Sequence, residues 1–153
     1  MLMVSKTVLG LFTAGVIALG FTSAAMADAK ASVEAREACM KANGAMMKVM
    51  VPVIKGQKAY DKAAIDAAIA DAQKACGGWA DWWGEDTKPG GALKTEAKAE
   101  IWSDSAGFEA AGKAYMTAEA AVLASTDEAS FKAAFPALGK SCQGCHEKFR
   151  QAD

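Results

Sequence analysis

Phe131, Phe135, Leu138, Cys142, Cys145 and Phe149 recur at intervals of four, three, four, three and four residues. That spacing lines six side chains along one face of an α-helix and excludes a strand, whose period is two. Upstream, Ile101, Phe108, Tyr115 and Val122 repeat every seven residues. Ile65, Ile69, Ala72 and Cys76 stripe another helix, which Gly77-Gly78 stops. Val33, Met40, Gly44, Met47, Val51 and Ile54 share a face of a first helix running to about Val53, with Pro52 tolerated only near its end. Residues 55–61 read as a loop, and Ser125 and Glu128 have capping-box spacing ahead of the last helix. Four helices with narrow apolar seams and mostly short connections predict an all-α protein, an antiparallel four-helix bundle. The longest irregular stretch, Gly77 to Gly91, carries Trp79, Trp82 and Trp83, which either cover a cofactor or close the open end of the bundle.

Residues 1–27 stand apart from this pattern. Lys6 is their one charge, an apolar run extends from Val8 to Phe21, and small residues end in Ala25-Met26-Ala27. That layout predicts a cleaved signal peptide over 1–27, with a single domain over 28–153. The apolar run is too short for a membrane span of about 20 residues, so no stable anchor is expected after cleavage. Export places the chain in the periplasm, an oxidising space where each of four cysteines needs an explanation. Without Lys6, 16 basic and 18 acidic side chains remain, and no basic stripe is present, which argues against nucleic acid as a partner.

Cys142-Gln143-Gly144-Cys145-His146 is the C-x-x-C-H signature of covalent haem attachment, and His146 is the one histidine in the chain. On a helix, positions i, i+3 and i+4 face the same way. Cys142 and Cys145 can therefore bind the ring edge of one haem c while His146 reaches the iron as proximal ligand. Gly144 leaves the backbone open where the ring comes close. Three other readings compete, one of them a chance motif that would leave an exposed, reactive pair of thiols in an oxidising space. A thioredoxin-like pair belongs beside a strand in a βαβ unit, and a structural zinc site would need Cys39 or Cys76 as its fourth ligand.

The iron's second axial position calls for a thioether in an electron carrier. The mature chain offers Met40, Met46, Met47, Met50 and Met116. With the first helix starting near Ala29 and antiparallel to the fourth, helical rise puts Met40 about 16 Å and His146 about 8 Å from the same end of the bundle. Met46, Met47 and Met50 sit about 9 to 15 Å further away. Met40 is the best placed, with Gly44 one turn later leaving room for the ring; the other role open to it is core filler.

Together these pieces resemble the class II c-type cytochromes, the cytochrome c′ family. Arg36 to Met40 has the form R-x-x-x-M, "PVIKGQKAYD" closes the first helix, "EIWSD" opens the third and "CQGCHEKFR" ends the fourth. The resemblance implies a non-enzymatic haem protein that exchanges electrons with redox partner proteins and pairs into a homodimer through its first two helices. It also implies that Arg36 holds a haem propionate, a solvated helix charge being the other reading, and that Arg150 is the basic residue near the proximal histidine, a helix-end cation favoured by the dipole being the other reading. Low-spin members such as cytochrome c-556 ligate a methionine of the first helix, and "MKANG" with Pro136 is similar to them. High-spin members leave the sixth site open to nitric oxide or carbon monoxide, and some carry an unligated methionine at this position.

Cys39 and Cys76 lie outside the family pattern. Counted from the connecting loop, they stand about 21 and 22 Å along their helices, so an antiparallel hairpin brings them to one height. They either form a disulfide, adding roughly 3 kcal/mol by loop closure, or remain two buried thiols. From the motif alone, His146→Ala produced with haem-attachment machinery should lose normal proximal ligation and most of its stability. An unchanged visible spectrum would remove the haem assignment.

Overall fold

The computed structural model describes residues 20–151. The order of elements is α1 (Gly20–Ile54), α2 (Lys62–Ala75), two short 3-10 turns (Trp79–Asp81 and Glu85–Thr87), α3 (Glu100–Ser103), α4 (Ser105–Leu123) and α5 (Glu128–Phe149). α3 is a single turn, so the architecture is the expected four-helix bundle. Most of the proposed signal peptide lies outside the described residues, and residues 20–27 continue α1. No helix among the described residues is long and apolar enough to cross a membrane.

Two antiparallel hairpins make the bundle: α1 packs on α2, and α4 packs on α5. The hairpins meet where α2 touches α4, and Met46 and Met50 of α1 share one buried cluster with Phe131 and Leu138 of α5. One half of the bundle is apolar. There Met46, Met50, Val53, Ile65, Ile69, Ala72, Ala118, Val122, Phe131 and Leu138 form one buried cluster. Met50, Phe131 and Leu138 are 0% exposed, and such burial contributes about 1.5–3 kcal/mol per side chain. The other half holds the C-x-x-C-H motif. It is closed by rings from the long connection, with Trp79 and Trp83 packed on Phe108 and Phe108 packed on Phe149. A lone antiparallel bridge between Ala97 and Arg150 ties the connection to the end of α5.

Local chemistry sets the helix ends. α1 stops at Gly56, whose φ of 68° suits a residue without Cβ. Its N–H bonds the Val53 carbonyl while the Gln57 N–H bonds Pro52, the pattern of a Schellman cap. Asp61 caps α2 by accepting from the Ala64 N–H.

Four expectations need correction. The seven-residue repeat from Ile101 to Val122 is broken by Asp104, whose side chain caps the Gly107 N–H, ends α3 and starts α4. A short carboxylate competes with the helix for backbone donors, and here it wins. The last helix is capped two residues later than expected. Asp127 accepts from the Ser130 N–H and Ser130 answers the Asp127 N–H, while Ser125 Oγ turns back to the Val122 carbonyl. α1 already runs from Gly20, upstream of the expected start near Ala29. Its buried face is Ala29, Val33, Arg36, Cys39, Met46, Met50 and Val53, so that of the predicted stripe only Val33 is fully buried.

That rotation follows from the α2 contact. Cys39 and Cys76 form a disulfide with their Cα atoms 4.8 Å apart, which turns the Cys39 face of α1 toward α2. The bridge closes a sequence separation of 37 residues, worth about 4 kcal/mol. Denatured, unreduced protein should offer neither Cys39 nor Cys76 to an alkylating reagent, and Cys76→Ser should lower the unfolding free energy by roughly that amount. Two alkylatable thiols at these positions would contradict the bridge.

Candidate haem site

The motif lies on the last two turns of α5. Cys142 and Cys145 are half-buried free thiols, one helical turn apart. Burial, ahead of every other cause, pushes both thiols above their ordinary value. They are therefore protonated thiols, poorly suited to thiol–disulfide exchange. The zinc reading fails as well. Cys39 and Cys76 are spent on each other, which leaves Cys142, Cys145 and His146 short of a fourth ligand. No group of three or more histidine, cysteine or acidic side chains able to hold a metal occurs among the described residues.

His146 is exposed on the same face of α5. Partial burial first, and the Arg150 charge second, hold its imidazole below the ordinary value, against the opposing pull of Glu96. A neutral imidazole is the ligating form. Arg150 itself pairs with Glu96 at 2.7 Å, and Lys148 pairs with Asp104, so the motif's flank is stapled to the α3 region by surface charges.

Arg36 and Met40 come from α1, one turn apart. Arg36 is only 6% exposed, and none of its three guanidinium nitrogens has a hydrogen-bond partner among the described residues. Its guanidinium lies 4.5 Å from the centre of the Trp83 ring. Burial lowers its pKa, as it must for a cation without a counter-charge. The reading of Arg36 as a solvated helix charge is thereby overturned. Beside it, the Trp83 indole nitrogen is also buried and unpartnered. Met40 is 39% exposed, whereas Met46 and Met50 on the same helix are 1% and 0% exposed. Met40 is thus no part of the core. A Cβ added at Gly44, Gly112, Gly139 or Gly144 would meet open space.

These residues fit a haem: two thiols spaced for its edge, a neutral imidazole beside them, an uncommitted thioether on the facing hairpin and an orphaned buried cation suited to a propionate. When bound, haem supplies a one-electron iron couple; the chain supplies its attachment, axial groups and surrounding polarity.

A partly buried polar network around Glu119 escaped the sequence reading. The Asn43 amide donates to the Cys39 carbonyl at 3.0 Å and contacts Cys76 Sγ at 3.3 Å. Tyr115 Oη lies 2.7 Å from Asn43 Oδ1 and 2.5 Å from Glu119 Oε1, and Gln73 Nε2 donates to Glu119 Oε2 at 2.9 Å. The one signal available was Glu119 itself, a carboxylate one turn after Tyr115 on the apolar stripe of α4.

A helical bundle with a haem-attachment motif near its end defines a c-type cytochrome of the bundle kind. The family model Cytochrome C′ matches residues 31–150, and this chain belongs to that family. It is 38% identical over 133 residues to cytochrome c′ of Pararhodospirillum photometricum, covering 82% of this chain and 100% of the relative. It is 31% identical over 152 residues to cytochrome c-556 of Agrobacterium fabrum, covering 98% of each. Among solved structures, the nitric oxide complex of a cytochrome c prime variant from Alcaligenes xylosoxidans has a TM-score of 0.69 and 29% identity, covering 81% of this chain and 97% of that one. The protein is accordingly a haem protein with one covalently bound haem c, and not an enzyme.

Arg36→Met in the haem-loaded protein should lower the reduction potential, because loss of a nearby cation favours ferric iron. It should also cost about 1–3 kcal/mol if a carboxylate is left unpaired. Unchanged potential and melting temperature would free Arg36 from any propionate.

Proposed function

We propose that the chain is a periplasmic single-electron carrier whose haem is attached through Cys142 and Cys145 and ligated by His146 and Met40. The observation that carries this reading is the exposure of Met40, 39%, on a helix that buries Met46 and Met50. Met116 on α4 is more exposed still, at 58%, and what supports Met40 over it is its place one turn from the orphaned Arg36 cation. Arg36 would receive a propionate, with Trp83 stacked on its guanidinium. A thioether opposite imidazole favours ferrous iron and raises the potential, which suits a carrier. Redox partner proteins would supply and remove the electron, and pairing of two copies through α1 and α2 follows the family resemblance.

A second reading is a five-coordinate haem that binds nitric oxide or carbon monoxide. It is favoured by the 38% identity to a cytochrome c′ and by the nitric oxide complex of the Alcaligenes xylosoxidans relative. The absorption spectrum of the purified protein separates the two. A six-coordinate, low-spin spectrum is expected, and Met40→Ala should convert it to a high-spin form that binds carbon monoxide rapidly at a lower potential. A wild-type protein that is already high-spin and gas-binding would establish the second reading instead.

A further inference from the structure

Trp83 is held firmly by its surroundings. Its ring packs edge-on against Trp79, with centroids 4.8 Å apart, and against Phe108 at 4.7 Å. Its carbonyl accepts from Trp102 Nε1 at 2.9 Å. The next residue is fixed as well: the Gly84 carbonyl accepts from the N–H and the hydroxyl of buried Thr87, at 3.0 and 2.7 Å, and this short turn packs on α1. Yet Trp83 Nε1 is buried and has no hydrogen-bond partner among the described residues. A buried indole N–H ordinarily finds an acceptor, as that of Trp102 does. Phenylalanine would give ring contacts of the same kind without burying a donor.

A second orphan lies against the first. Arg36 Cζ stands 4.5 Å from the centre of the Trp83 ring, and its three guanidinium nitrogens also lack an acceptor among the described residues. Glu37, its neighbour in the chain, is exposed and pairs with Lys41. Two adjacent donors, one charged and one neutral, call for an anion with two oxygens. A carboxylate accepting at about 2.9 Å on each side bridges donors roughly 6 to 8 Å apart. The indole nitrogen, on the rim of a ring centred 4.5 Å from Cζ, falls within that span. A water molecule would satisfy the indole but leave the buried cation without a counter-charge.

We propose that Trp83 is a second propionate-binding residue, its indole N–H and the Arg36 guanidinium together holding one carboxylate of the haem. The guanidinium neutralises the carboxylate, and the indole, a donor without charge, fixes its direction. The tryptophans of the long connection thus divide between the two roles open to them: Trp79 closes the bundle by packing, and Trp83 meets the cofactor. The proposal rests on haem attached through Cys142 and Cys145 and on Arg36 as a propionate partner, and it is independent of the sixth ligand.

The test is resonance Raman spectroscopy of the haem-loaded protein, reading the propionate bending mode in wild type, Trp83→Phe and Arg36→Met. Phenylalanine keeps an aromatic ring against Trp79 and Phe108 and removes the N–H, so a tryptophan that only packs leaves the mode unmoved. A shift to lower frequency in Trp83→Phe is expected, in the direction that Arg36→Met moves it, with a fall in reduction potential smaller than that of Arg36→Met. A mode that moves in Arg36→Met but not in Trp83→Phe overturns the inference and leaves the Arg36 reading standing. A mode unmoved in both removes the Arg36 reading, and this proposal with it. Should Trp83→Phe fold poorly, the ferrous wild type labelled with nitrogen-15 in its indoles decides, as the carbon monoxide complex where the haem is high-spin. An indole N–H that exchanges slowly with deuterated water and shows an Overhauser contact to a propionate methylene is expected, and the lack of any such contact sinks the proposal.

Discussion

The covalent link between Cys39 and Cys76 sets the register on which the haem half of the molecule depends. α1 packs chiefly on α2, and the disulfide fixes the level at which it does so. Two helices joined only by apolar side chains can rotate or slide by small amounts at modest cost. A bridge with Cα atoms 4.8 Å apart removes that freedom at one level of the bundle. That level is immediately before Met40 and one turn after Arg36. The Asn43 amide, resting on the Cys39 carbonyl and beside Cys76 Sγ, then carries the constraint onward to Tyr115 of α4.

The bundle is divided along its length into two kinds of interior. The half around Phe131 is conventional, with aliphatic and aromatic side chains in one continuous cluster and no buried charge in it. The half around the motif keeps a guanidinium, a carboxylate and an indole N–H inside without ionic partners. Each would be cheaper as an apolar residue if stability alone were at stake. Such groups persist where a ligand or a reaction uses them. The two halves therefore divide the labour, one providing free energy of folding and the other spending part of it on polarity around the iron.

Both candidate axial groups obey the same logic of restraint. His146 is kept neutral by partial burial and by Arg150, while Arg150 is itself engaged with Glu96. Met40 is left out of the core although methionine packs easily into gaps. Neither residue is held by strong contacts of its own, and their placement comes from the helices that carry them. α5 is anchored by Phe131, Leu138 and Phe149, and α1 by the disulfide and by Met46, Met50 and Val53.

Much of this was legible from residue spacing. Cys142, Cys145 and His146 share a face because helical geometry within five residues is a local property, independent of the rest of the chain. The helix class and the loop at residues 55–61 were legible in the same way, and the family through its resemblance in the quoted segments. What lay beyond the sequence was the rotation of each helix about its own axis. One residue of rotation is about 100°, so a sequence with apolar side chains on two faces of α1 is compatible with more than one buried stripe. The contact with α2 chose the Cys39–Met46–Met50 stripe and left Met40 out of it. Likewise Asp104 could have continued a helix or ended one, and a carboxylate able to reach both the Gly107 N–H and Lys148 decided the matter. The row of Asn43, Tyr115 and Glu119 joins positions 72 and 4 residues apart on two helices. Local spacing determined the attachment chemistry; only packing between helices, which sets their rotation, could determine the polar surroundings in which it operates.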